Sequence, residues 1–153
     1  MIVFILVFWS CSSVKKLEAT APFDLGEPYA QKWVVAEVPK KSGYEVVIPV
    51  LSLDNEKAIL KNLYHKGKMT RLEIKLTEKG NVAVAEYGSE TKENDRAGML
   101  PTQVDEGPFP FDLTETQAVI SFVNNEKVKY YLINGIRQHL PITYATVSEK
   151  MQR

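Results

Sequence analysis

One cysteine, Cys11, is all that 153 residues contain. No internal disulfide is possible, so the fold has to be held by its core. Thiolate ligands for a closed zinc site are missing too. The two histidines, His65 and His139, lie far apart in turn-like contexts, where zinc would need three or four convergent ligands; both read as exposed side chains. Charge of one sign is equally lacking: 19 Lys and Arg balance 19 Asp and Glu. The longest basic runs are Lys15-Lys16 and Lys40-Lys41, with Lys66-Gly67-Lys68 between turns. Phosphate neutralisation dominates nucleic-acid affinity, so a nucleic-acid partner is not expected. The chain has no Gly-x-Ser-x-Gly, no P-loop, no Gly-x-Gly-x-x-Gly and no EF-hand spacing. No catalytic set and no cofactor is implied.

What is present begins at the N-terminus. Residues 2–9 are all apolar and run into Ser10-Cys11-Ser12-Ser13. As a helix, eight residues rise about 12 Å, against a hydrocarbon core of about 30 Å. The run is therefore too short to span a bilayer and has the length of a signal-peptide apolar region. Its ending resembles the lipobox of bacterial lipoproteins, with Ser10 as the small residue before the cysteine. That resemblance implies a diacylglycerol on the Cys11 thiol and cleavage just before it. Basic residues usual at the start of such a peptide are expected ahead of Met1. Ser12, where Asp would imply inner-membrane retention, implies the outer membrane, and with no acidic cluster in the next few residues the body is expected to face the periplasm.

The rest divides into a flexible tether over residues 11–21, a single β domain over 22–148 and a polar tail over 149–153. Strands are expected at Trp33–Val38, Tyr44–Leu51, Ala58–Tyr64, Met69–Leu76, Asn81–Tyr87, Gln117–Val123, Lys127–Ile133 and Ile142–Val147. Pro49 marks an edge or a bulge. The clearest period-two pattern sets Leu72, Ile74 and Leu76 inward against Arg71, Glu73 and Lys75. Val128, Tyr130 and Leu132 share a face opposite Lys127, Lys129 and Tyr131. Sustained 3.6-residue periodicity is absent. Short strands with turns every ~8–12 residues predict an all-β fold, an antiparallel sandwich or small barrel of about six to eight strands. The echo of Pro22-Phe23-Asp24-Leu25 in Pro110-Phe111-Asp112-Leu113 reads as two similar turn segments.

Gly88–Pro110 is broken by Gly98, Pro101, Gly107 and Pro108 and carries Glu90, Glu93, Asp95, Asp105 and Glu106. Long irregular segments of this kind often carry function, so these five form a candidate partner-binding loop. Tyr29, Trp33, Tyr44, Tyr64, Tyr87, Tyr130, Tyr131 and Tyr144 mostly supply cross-strand packing; an exposed subset would make a sugar- or peptide-binding face. The body resembles small uncharacterised envelope lipoproteins. The expected role is a lipid-anchored, non-enzymatic binding or assembly module, held to the membrane through Cys11, with an envelope protein or glycan as partner. The alternative is an envelope hydrolase acting on carbohydrate through the loop carboxylates.

Overall fold

The computed structural model describes residues 15–37, 41–88 and 109–152. Among them the chain is all-β. The strands are β1 (Leu17–Glu18), β2 (Phe23–Leu25), β3 (Tyr29–Val35), β4 (Lys41–Leu53), β5 (Ile59–His65) and β6 (Lys68–Thr77). After them come β7 (Gly80–Gly88), β8 (Ala118–Asn124), β9 (Lys127–Ile133), β10 (Arg137–Tyr144) and a single-turn helix, α1 (Val147–Met151).

Local chemistry sets the hairpins. Lys66 and Gly67 both adopt positive φ between β5 and β6, as do Asn125 and Glu126 between β8 and β9. Two consecutive left-handed residues make the turn whose twist matches that of the flanking strands. Ala118 to Phe122 is buried on both faces, which explains why β8 there is apolar at every position but Ser121 instead of alternating.

Nine of the strands lie in the order β1-β9-β8-β5-β6-β7-β4-β3-β10, and β2 is bonded to the end of β4. The path is one open sheet. β6 is its pivot: Lys68–Arg71 pairs with β5, and Leu72–Thr77 pairs with β7. The sheet curls strongly. β8 and β4 are four pairings apart in that order, about 19 Å on a flat sheet at ~4.8 Å per strand. Yet Phe23, on β2 beside β4, meets Phe122 of β8 edge-to-face with ring centroids 5.1 Å apart. One buried cluster accordingly draws on both halves, joining Val46, Ile48, Leu72 and Ala85 to Leu60, Leu63, Ile120 and Phe122.

The structure differs from the sequence expectation in several particulars. Among the described residues ten strands form, not six to eight, and the sheet they make is not closed into a barrel. The additions are short. β1 lies inside the stretch expected to be a tether, where Leu17 and Glu18 pair in parallel with Tyr130 and Tyr131. β2 lies in the lead-in, whereas its echo Phe111–Leu113 forms no strand. Pairing is not antiparallel throughout, since β10 runs parallel to β3. That strand starts at Arg137, not Ile142, and Val147 opens α1 instead of ending a strand. Arg137–Pro141 is solvent-exposed and carries proline at a register shift. With no buried face it shows no alternation, and edge pairing alone makes it a strand.

The expected inward face of β6 is only partly inward. Leu72 is buried, but Ile74 is 46 % and Leu76 82 % exposed. Alternation does put all three on one face, because their partners Ala85, Ala83 and Asn81 alternate in step. It cannot report how far the opposite layer extends, and that layer ends before Ile74.

Candidate functional site

The N-terminal edge of the sheet gathers most of the unusual chemistry. β1 adds two residues to the outer side of β9. Just ahead of it, the Lys15 ammonium donates to the Tyr130 hydroxyl at 2.9 Å and sits 5.0 Å from that ring's centre. Tyr130 belongs to an aromatic group on the face away from the main core. Phe111 lies 5.0 Å from Tyr64 and 5.4 Å from Tyr130, and Phe109 lies 6.3 Å from Phe111. Offset and edge contacts at these distances add to the apolar area they bury.

Beside β1 a groove of about 280 Å³ is lined by Glu18, Thr20, Ala21, Pro22, Phe122, Asn124 and Lys129. Phe122, Ala21 and Pro22 give it an apolar floor. A carboxylate, an ammonium, a hydroxyl and an amide stand around it. The Asn124 amide nitrogen already donates to the Lys57 carbonyl at 2.7 Å, so its oxygen is the group left to accept. Its exposed lining is more polar than apolar, and the volume is that of one side chain or one sugar ring.

The second feature is a buried polar cluster at the end of β5. His65 is fully buried, contrary to the expectation of an exposed turn histidine. Its Nδ1 lies 2.8 Å from the Gln117 carbonyl oxygen. A carbonyl only accepts, so Nδ1 carries the proton and Nε2 is a bare lone pair. Nε2 and the Tyr44 hydroxyl are both buried, with no hydrogen-bond partner among the described residues. Tyr44 stacks on Tyr87 at 4.7 Å, and the Tyr87 hydroxyl donates to the Leu63 carbonyl at 2.9 Å. Burial pushes Tyr44 up to about 12 and raises Tyr87 further, so both stay neutral. Loss of water holds the His65 pKa below its ordinary 6.5, and the neighbouring Lys66 charge acts the same way.

His65 has a signal in the sequence. The Lys66-Gly67 turn makes it the last residue of its strand, and two-residue periodicity places it on the same face as Leu63. His139, by contrast, is exposed and stacks flat on Tyr29 at 4.0 Å. The other expected site residues, Cys11 and the five loop carboxylates Glu90, Glu93, Asp95, Asp105 and Glu106, lie outside the described residues. Of the expected aromatic face, the structure brings together Tyr64 and Tyr130 and adds Phe109 and Phe111, which are not among the aromatics expected there. It uses Tyr131 inside, against Phe23 at 5.7 Å.

Among the described residues no group of three or more His, Cys, Asp or Glu could hold a metal ion, and no helix is long and apolar enough to cross a membrane. No family model, curated protein or solved structure matches the chain.

Proposed function

We propose that this chain is an envelope protein, lipid-anchored through Cys11 at the outer membrane and facing the periplasm. Its curled, sandwich-like β body acts as a non-enzymatic binding or assembly module. The groove beside β1 holds part of an envelope protein or glycan, with the loop that carries Glu90, Glu93, Asp95, Asp105 and Glu106 as a further contact.

The observation supporting this reading is the docking of β1. Only residues 12–14 separate Cys11 from Lys15, and Lys15 is fixed to Tyr130. A span of four residues reaches at most about 14 Å. A lipid on Cys11 would hold the groove close to the bilayer surface, where envelope proteins and glycans are concentrated. The groove's two opposite charges, with a hydroxyl and an amide beside them, suit a polar side chain or a sugar ring.

Metabolic labelling with a palmitate analogue tests the anchor. The native chain should label and fractionate with membranes, and Cys11→Ala should do neither. Equal labelling of the two would overturn it. A photo-crosslinking residue at Thr20, in the groove, should then give a discrete adduct in intact cells. The same residue at Lys79, on the β6–β7 turn, should give none. Adducts at both positions or at neither would remove the groove from the proposal.

A further inference from the structure

β6 has an open edge. Its hydrogen bonding to β5 is confined to Lys68–Arg71, opposite Asn62–His65, and Ile59 and Leu60 pair only with β8, on the other edge of β5. From Leu72 to Thr77 the strand is bonded to β7 on one side only, among the described residues. Its backbone groups on the other side are a template for another strand. The side chains there are Leu72-Glu73-Ile74-Lys75-Leu76-Thr77, all but Leu72 solvent-exposed. An exposed edge with apolar side chains is one that natural proteins protect or use.

The residue pattern selects the occupant. In an antiparallel pair, residues directly opposite share a face, so two copies of one strand meet only in registers centred on a single residue. Centring on Glu73 sets that carboxylate against its own copy, and centring on Lys75 does the same with two ammonium groups. Like charges directly opposite are destabilising. Centring on Ile74 puts Leu72 opposite Leu76, Glu73 opposite Lys75 and Ile74 opposite itself. Each unlike pair then occurs twice. The apolar residues lie on one face and the two ion pairs on the other.

We propose that the Leu72–Thr77 edge is a homodimer interface: two copies of this chain join antiparallel through β6, centred on Ile74. A two-fold axis through Ile74 makes the contact closed, so it stops at two chains. Exposed Ile74 and Leu76 become covered, together with Leu72 of the partner strand.

Sedimentation of the purified full chain over a concentration series tests it directly. The native chain should dimerise. Glu73→Lys and Lys75→Glu should each weaken the dimer at least tenfold, by opposing like charges. The double variant regenerates both ion pairs in reversed order and should recover to within a few-fold. All three changes are on exposed side chains, and unchanged thermal unfolding of the monomer checks that folding is intact.

The register is read by cysteine cross-linking in a Cys11→Ser chain. Opposed residues have Cα atoms about 4.5–5.5 Å apart, inside the range a disulfide bridges. Ile74→Cys should therefore cross-link to itself on mild oxidation. Leu76→Cys should not, because two such residues would stand about 14 Å apart at 3.4 Å per residue. A chain monomeric at all concentrations, a dimer indifferent to the charge changes, or cross-linking at Leu76→Cys but not Ile74→Cys would each overturn the proposal.

Discussion

Acid should weaken this fold through His65. The side chain is buried, its Nδ1–H is held by the Gln117 carbonyl, and its Nε2 has no partner among the described residues. Protonating Nε2 would put a cation beside two neutral tyrosines and near the Lys66 ammonium, with no carboxylate in contact among the described residues. The folded form therefore binds a proton more weakly than the unfolded chain, whose imidazole titrates near 6.5. Where the unfolded state binds more protons, stability rises with pH. The loss begins as pH falls through about 6.5 and continues until the folded-state histidine itself titrates. With one proton involved, the loss between pH 7.5 and 5.5 can approach but not exceed about 1.4 kcal/mol. Urea unfolding at half-unit steps over that range measures it. His65→Asn keeps an amide N–H near the Nδ1 position while removing the titrating group. That variant should start less stable and show a correspondingly flatter profile. A flat native profile, or the same slope in the variant, would mean that His65 is not sealed as described.

Three further changes read the packing. Leu72→Ala should cost about 2–5 kcal/mol by opening a cavity in the shared core, whereas Leu76→Ala, on a side chain 82 % exposed, should cost under about 0.5 kcal/mol by the same denaturation assay. Gly43→Ala should lower the melting temperature sharply, since a Cβ there would collide with the Tyr87 carbonyl and stand 2.7 Å from Trp33 Cζ2; overpacking of this kind costs about 1–3 kcal/mol. Lys150→Ala should cost about 1 kcal/mol and raise amide exchange in α1. Its ammonium lies 4.4 Å over the Trp33 ring and 3.0 Å from a Glu86 carboxylate oxygen, and its side chain is mostly buried.

Much of the sheet is legible in the sequence because its signals are local. The Lys66-Gly67 turn, and the Asn-rich turn before Lys127, fix two hairpins by backbone conformation alone. Apolar runs such as Ala118–Ile120 report burial wherever the chain goes. What escapes the sequence depends on partners distant along the chain. β1 is two residues long and exists because Tyr130 and Tyr131 accept it. β10 carries almost no buried face and exists because β3 offers an edge. Leu76 alternates like a core residue, but burial needs a second layer above it. His65 reads as a turn residue beside Lys66 and Gly67; strand periodicity gives its face, the Leu63 side, but its burial comes from the curl that brings Tyr44 and Tyr87 against it. The groove is hidden for a similar reason: Glu18, Asn124 and Lys129 meet only after β1 has docked.

The two proposals occupy different parts of the sheet. In the strand order β1 is terminal, and β6 lies four pairings inward. A chain held at Cys11 would therefore keep the Leu72–Thr77 edge free for a second copy. Confining both copies to a bilayer surface raises their effective concentration, so a weak soluble dimer would become the dominant form on a membrane. Each chain brings one groove, and the two-fold axis through Ile74 would double it. A partner with repeated units, such as a glycan strand or an oligomeric envelope protein, then gains avidity of order 10²–10⁴ over a single groove if its spacing matches the pair. The charge variants on β6 separate the two contributions. Glu73→Lys leaves Glu18, Asn124 and Lys129 untouched, so it should lower retention of the repeated partner and leave affinity for a single unit unchanged. A fall in both would show that the groove and the β6 edge are not independent.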